Sequence, residues 1–459
     1  MQKVKDNKDY MLHGSVSGSI IKFAIPLFFG NLFQQLYNTA DSLIVGNALG
    51  NRALAGVSAT GMLIFLLVGF FQGIGIGAGV VISQFYGAGD KKNLSKAVHT
   101  QLVFSFFVGI FMTVFATWLS PWLLSLMDTP AEVMPLAVEY IRFYFLGSVG
   151  LVMYNSCMGI MQAVGDSRHP LYYLIVSSVV NIALDVVFVV FLDFGVWSAA
   201  LATAISQIVS VVLCMYKLMN TEESHRVTIK QLRIDWGMLW RILRVGLPTG
   251  VQNSIIAFAN VVVQSNINHF GEMAISGCGA YSRLEGFAFL PIVSFTSAIT
   301  TFVGQNIGAG NTKRVKRGAA FGVWCSIGMA EVVGVLLWIF APLLISAFTK
   351  EPDAIEQGVL KARTCALFFC LLAASHALSA VLRGAGRSMV PMFTMLAFWC
   401  VVRVAFLEIT VPLTDNIAFV NWVYPLTWGL STITLLIYYI AVDWSRAAPL
   451  SEGEKKAKG

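Results

Sequence analysis

The chain has 459 residues, 57% of them hydrophobic and 12% charged. Soluble domains carry about 25% charged residues, so the composition excludes an ordinary water-soluble globule and points to side chains that face lipid or one another. The formal net charge of +7 would suit a nucleic-acid binder, but the basic residues sit in loops between long apolar runs, where they report topology instead.

Residues 1–18 are polar and basic, with neither the apolar core nor the small-residue cleavage site of a signal peptide, and are expected to form a cytoplasmic tail. Crossing a bilayer takes about 20 apolar residues, and twelve such runs follow. The first six, at 19–46, 53–83, 94–118, 133–161, 170–192 and 196–218, make an N-lobe over 19–218. The opening run carries Pro26, a candidate hinge because proline bends a helix. It then carries Asn31, Gln34, Gln35, Asn38 and Asp41, whose spacings of three and four put them on one face. Lipid penalises such a stripe, so it should line a polar interior. In the second run Gly69, Gly73 and Gly77 recur every four residues, which lets a neighbouring helix approach closely. That run ends at Gly87-Ala88-Gly89, where glycine closes a helix. Asn155 in the fourth run is a candidate substrate contact. The fifth run holds Asn181 and, four residues later, Asp185; the sixth holds Thr203.

A polar stretch over 219–238 reads as a cytoplasmic connector. The C-lobe over 239–442 follows, with runs at 239–268, 274–304, 317–340, 355–382, 391–413 and 417–441, and 443–459 forms a second cytoplasmic tail. Asn253, Asn260 and Gln264 give the seventh run an uncharged polar face suited to an organic substrate. Glu285, Glu331 and Glu408 are also intramembrane and are read as structural, their charges paired locally (Arg283 near Glu285, Arg403 near Glu408) or across helices. His376 lies mid-helix and reads as a hydrogen-bonding spacer. The seven cysteines all fall in apolar runs without metal-ligand or redox spacing and read as small buried hydrophobes.

Of the 31 Lys and Arg, 24 fall on the side that holds the tails and the connector. The opposite loops hold only Arg52 and Lys350, beside Asp128, Glu132, Asp193, Glu272 and Asp415. The positive-inside rule therefore places both termini in the cytoplasm.

The two halves repeat. Gln84 with Gly87-Ala88-Gly89 recurs as Gln305 with Gly308-Ala309-Gly310, an offset of 221 (305 minus 84). The same offset relates Pro121 to Pro342, Arg142 to Arg363, Gly165 to Gly386 and Pro170 to Pro391; Pro26 and Pro248 are one residue out of step. Six helices per half is an even number, so both halves enter the membrane from the same side as parallel repeats. The predicted fold is an all-α integral membrane protein of twelve transmembrane helices in two pseudo-symmetric six-helix lobes.

A charge at the centre of a bilayer costs roughly 2.5–3.5 kcal/mol on insertion scales, so Asp41 and Asp185 need a reason to be there. At ~1.5 Å per residue, Asp41 lies roughly 28 Å from Lys22 and Asp185 roughly 24 Å from His169. Both then sit at similar height in the outer half of the membrane. Two carboxyls sharing a dry site can trade protons reversibly. The same oxygens, with the Asn181 amide and the Thr203 hydroxyl, could instead hold Na⁺. Asp41, Asn181, Asp185 and Thr203 are thus the candidate ion-coupling residues, and metal ligands only if Na⁺ is the ion. The acidic pair is not repeated, since Asp185 corresponds to Phe406 and Asn181 to Val402, so coupling is assigned to one lobe. No G-x-x-x-x-G-K-[ST] run exists for a nucleotide; transport would be driven by an ion gradient or be passive, with no cofactor. An intramembrane enzyme would need clustered His, Cys or Ser-Lys pairs at membrane depth, and none is visible.

With these residues in place, the chain resembles the multidrug and toxic compound extrusion (MATE) family over roughly residues 19–443. The resemblance rests on Pro26 and Asp41, Gln84-Phe85-Tyr86-Gly87-Ala88-Gly89, Gln162-Ala163-Val164-Gly165-Asp166, Asn181 with Asp185, Thr203, and Arg383-Gly384-Ala385-Gly386. It implies an antiporter of two six-helix lobes that exports small organic, often cationic, compounds against H⁺ or Na⁺. Asp41, Asn181, Asp185 and Thr203 match the family's N-lobe cation site. Asn253, Asn260 and His376 stand where the NorM-like branch carries acidic residues, which favours a DinF-like or neighbouring bacterial branch. Candidate substrate contacts are Gln34, Asn38, Asn155, Asn253, Asn260 and Gln264. A monomer in a bacterial inner (plasma) membrane is expected, with no nucleic-acid or nucleotide partner. The alternative within transporters is a flippase for lipid-linked saccharides, which should show a strongly cationic cavity.

Overall fold

A computed structural model describes residues 10–126 and 129–445, and every regular element among them is a helix. Lys3, Lys5, Lys8, Asp128 and the basic tail from Arg446 lie outside the described residues. After a one-turn helix at Tyr10–His13, the spans are α1 Val16–Gly50, α2 Ala55–Gly87, α3 Lys91–Ser125, the bent α4 Met134–Leu146 with Ser148–Ala163, α5 Arg168–Phe191 and α6 Trp197–Met219. The second set is α7 Trp236–His269, α8 Glu272–Gly308, α9 Thr312–Ser346, the bent α10 Pro352–Ala366 with Phe369–Gly384, α11 Met389–Thr414 and α12 Ile417–Ala441. Twelve spans result among the described residues, each within a few residues of its expected run except at the Ser125 end of α3 and at both ends of α9, which run further. Bare apolar side chains such as Trp118 (76% exposed) and Leu413 (79%) cover the outer faces, as lipid-facing helices require.

The repeat is written into the backbone. Left-handed glycines pair at the offset found in the sequence: Gly50 (φ 84°) with Gly271 (86°), Gly89 (68°) with Gly310 (70°), and Gly165 (92°) with Gly386 (77°). At Gly50, Gly89, Gly271 and Gly310 a Cβ would meet nothing within 4 Å, so the backbone angle, not crowding, selects glycine. Helix caps repeat as well. Asp90 Oδ1 accepts from Asn93 N (3.1 Å) at the start of α3, and at the equivalent place in the second half Asn311 Oδ1 accepts from Arg314 N (3.2 Å) at the start of α9.

Two features depart from straight helices. α4 bends by 50° and α10 by 53°. In α10 the Glu331 carboxylate accepts from Cys370 N (3.1 Å), satisfying one amide that the bend releases from its own helix. α5 and α11 each contain a π-helical stretch, Val186–Phe191 directly after Asp185 and Leu396–Val402 directly before Arg403.

The chain forms two compact units, residues 29–250 and residues 1–28 with 251–459. The divisions fall inside α1 and α7, not at the connector that separates the two lobes in the sequence reading. Each comes two residues after a proline, Pro26 or Pro248. Within the 29–250 unit, α2 meets the start of α7 almost backbone to backbone. A Cβ on Gly73 would lie 2.4 Å from Gly250 Cα, and one on Gly77 2.2 Å from Gly246 Cα. The connector folds onto α3: Thr228 N donates to His99 Nε2 (3.0 Å), Asp235 N to Thr100 Oγ1 (3.1 Å), and Lys96 Nζ pairs with Asp235 at 2.8 Å. In the other unit Phe23, Phe295 and Phe302 share a core, and Asn306 Nδ2 (3.1 Å) and Arg314 Nη2 (3.0 Å) both donate to Met11 O.

Candidate ion and substrate site

α5 carries Asn181 and Asp185 one helical turn apart, hence on one face, and buries them to 1% and 0% exposure. α6 adds Thr203, whose hydroxyl accepts from Asn181 Nδ2 at 3.4 Å. α1 delivers half-buried Asp41, whose carboxyl interacts directly with that of Asp185. All four expected ion-coupling residues thus meet inside the 29–250 unit.

The hydrogen-bond inventory of this cluster is one-sided. Asp41 Oδ1, both Asp185 carboxyl oxygens and Asn181 Oδ1 are buried without a donor. A buried acceptor left unsatisfied costs about 1–3 kcal/mol, and native interiors seldom tolerate one. Four acceptors gathered in this way accommodate a shared proton or a bridging cation, not two bare negative charges. A Na⁺ ion takes oxygen ligands of this kind, as hard cations do, so the donor set fits either ion.

Tyrosines complete the site. Tyr37, one turn before Asp41 on α1, is hydrogen-bonded by Gln34 and lies in the field of both acids. Tyr140 on the first limb of α4, 5% exposed, lies in the field of Asp41, Asp185 and Tyr37, and its ring stacks on Tyr144 at 6.3 Å. Sequence reasoning missed all three. The spacing of Tyr37 from Asp41 was the available signal; nothing in the sequence marked Tyr140 or Tyr144.

The candidate substrate contacts divide between the two units. Gln34 and Asn38 are exposed on α1 and Asn155 is half-buried on α4, its amide donating to Leu151 O at 2.8 Å. Asn253, Asn260 and Gln264 belong to the other unit: Asn253 is half-buried, Asn260 exposed, and Gln264 donates to Asn268 Oδ1 at 2.9 Å. Beside Asn253, Gln252 is 1% exposed with Oε1 unpaired, a buried polar group the sequence reading passed over. α1 runs through Pro26 without losing helical backbone.

The second unit buries charge of its own. Glu285 accepts from Tyr281 Oη (3.3 Å), and the cations acting on it are Lys361 and Arg403 on other helices. Arg283, near in sequence, is exposed instead. Arg403 turns inward and donates to Thr427 Oγ1 at 2.8 Å, while Glu408 is exposed. The cations acting on Glu285 thus come from other helices and not from Arg283.

Comparison with known proteins accounts for this plan. "Probable multidrug resistance protein YoeA" of Bacillus subtilis is 29% identical over 435 residues, spanning 93% of this chain and 94% of that protein. "Probable multidrug resistance protein YpnP" of the same organism is 30% identical, spanning 84% and 86%. A solved MOP-superfamily transporter from Pyrococcus furiosus, reported to have a binding pocket of reversed polarity, shares the fold with a TM-score of 0.89 at 24% identity, over 95% of this chain and 97% of its own. The MatE family model matches residues 26–187 and 248–407, once in each repeat, and the chain belongs to the MatE family.

Proposed function

We propose that this protein is a secondary active transporter of a bacterial plasma membrane that exports small organic, often cationic, compounds in exchange for H⁺ or Na⁺. It performs no chemical conversion. The relatives named as multidrug resistance proteins support the export role. The observation that carries the coupling is the set of four donorless oxygens on Asp41, Asn181 and Asp185, with Thr203 bonded to the Asn181 amide. A proton or Na⁺ arriving there removes the electrostatic and hydrogen-bond deficit, so the occupied and empty states favour different packings of α1 against α5 and α6. Candidate cargo contacts are Gln34, Asn38 and Asn155 in the one unit and Asn253, Asn260 and Gln264 in the other. Pro26 in α1 and Pro248 in α7, each two residues from a unit division, are the places where the helices bend as the states interchange. The charge bias of the loops sets both termini in the cytoplasm, and the protein acts as a monomer.

Reconstituted vesicles test this with ΔpH and ΔNa⁺ imposed separately. Export of a cationic dye should follow one gradient and fall at least tenfold in Asp41→Asn and Asp185→Asn, each nearly isosteric. Undiminished export by both variants would remove the proposed role. The response to one gradient and not the other identifies the ion.

A further inference from the structure

Lys361 on the first limb of α10 and Arg403 at the π-helical segment of α11 are 2% and 1% exposed. Neither forms an ion pair with any described carboxylate. Both lean on aromatic faces. Lys361 Nζ lies 5.4 Å from the Tyr281 centroid and 5.1 Å from that of Tyr424, and the Arg403 guanidinium 4.9 Å from Trp399 and 4.8 Å from Tyr424. Glu285 is the one described carboxylate acting on either cation. With all three ionised the cluster carries one uncompensated positive charge. A buried charge without a counter-charge is among the costliest features a protein interior can hold, and ring faces recover only a small part of that cost.

The donors tell the same story. Arg403 Nε and Nη1 are buried without an acceptor, as is Nδ2 of Asn421, a residue of 0% exposure on α12. In the acid cluster of the other unit the unpartnered atoms are all acceptors; here three of the four are donors, Asn421 Oδ1 being the fourth. The two clusters are related by the repeat. Lys361 stands where the first half has Tyr140, which lies in the field of Asp41 and Asp185, and Tyr424 stands where it has Thr203; Arg403 falls one residue after the counterpart of Asn181. The same place in each half has acquired opposite polarity.

We propose that Lys361, Arg403 and Asn421 form a binding site for a single negatively charged group, a halide or the carboxylate of an organic molecule, held opposite Glu285. The site stands on the geometry of this cluster and does not rest on the coupling assigned to Asp41 and Asp185.

The test is thermal unfolding of the purified full-length protein in detergent. Bromide and benzoate are titrated at constant ionic strength against the bulky anion of 2-(N-morpholino)ethanesulfonate. Bromide, benzoate or both should raise the melting temperature saturably, and Lys361→Gln and Arg403→Gln should abolish that rise. Stabilisation by bromide alone identifies an inorganic anion, and by benzoate alone an organic carboxylate. If the cation variants fail to fold, Glu285→Gln decides: removing the competing carboxylate should lower the half-saturating anion concentration about tenfold. Asp41→Asn should keep the wild-type response, which separates this site from the ion-coupling site. No saturable stabilisation by either anion, or an unchanged half-saturation in Glu285→Gln, overturns the proposal.

Discussion

Asp185 and Asp90 show how differently two carboxylates are used in one chain. Asp185 is wholly buried beside another acid, the setting of the proposed ion-coupling site. Asp90 lies outside the membrane and caps α3, where the Asn93 amide and the nearby Lys92 hold its carboxyl below the usual carboxylate range. A carboxyl so depressed stabilises the folded state above its unfolded value and stops doing so as pH falls through the depressed one. Asp90→Ala should therefore cost about 1 kcal/mol near neutral pH and less in acid, once the carboxyl is protonated, measured by thermal unfolding in detergent. Asp90→Asn should retain most of the cap, because Asn311 already does this work in the second repeat. For the proposed ion cluster, Tyr140→Phe should leave the fold intact and shift the ion concentration giving half-maximal transport, since Tyr140 lies in the field of both acids. Asp41, Asn181, Asp185 and Thr203 were legible because polar residues stand out in apolar helices. Tyr37, Tyr140 and Tyr144 were not, because a tyrosine in such a helix looks like any other aromatic until its neighbours are known. Glu285 was visible, but its partners Lys361 and Arg403 were not, since they come from helices distant in sequence.

The helices themselves were legible as apolar runs, and their ends as glycines and prolines. What escaped were the changes inside a helix: the bends of α4 and α10 and the π-helical stretches of α5 and α11. A single added residue per turn leaves hydropathy unchanged and only rotates the side chains that follow. It places Asp185 and Arg403 at irregular backbone, where π-bulges commonly accompany function. Small-residue contacts give the sharpest test at this scale. Gly77→Leu would drive its side chain into the Gly246 backbone, so it should prevent folding or cost several kcal/mol, read as loss of folded protein on size-exclusion chromatography. Gly50→Ala meets open space but takes φ of 84° and ψ of 177°, a conformation essentially reserved for glycine. It should cost about 1–3 kcal/mol by thermal unfolding without changing the hydrodynamic profile.

At the scale of the molecule, the constant offset between matching residues announced the duplication, and the left-handed glycines carry it into the backbone. The sequence did not say where the compact units divide, since packing, not composition, decides which side of Pro26 belongs with which core. Residues up to Phe28 complete the unit built mainly from α8 to α12, and the start of α7 completes the one built mainly from α2 to α6. That reciprocity is the arrangement of a swapped dimer fused end to end. A gene broken between residues 222 and 223 would thus yield two fragments, neither owning a whole interior. Made separately, each should be degraded; made together, they should rescue one another and restore export. The linker would then prove a convenience of synthesis, while the true bond between the halves is the loan each makes to the other.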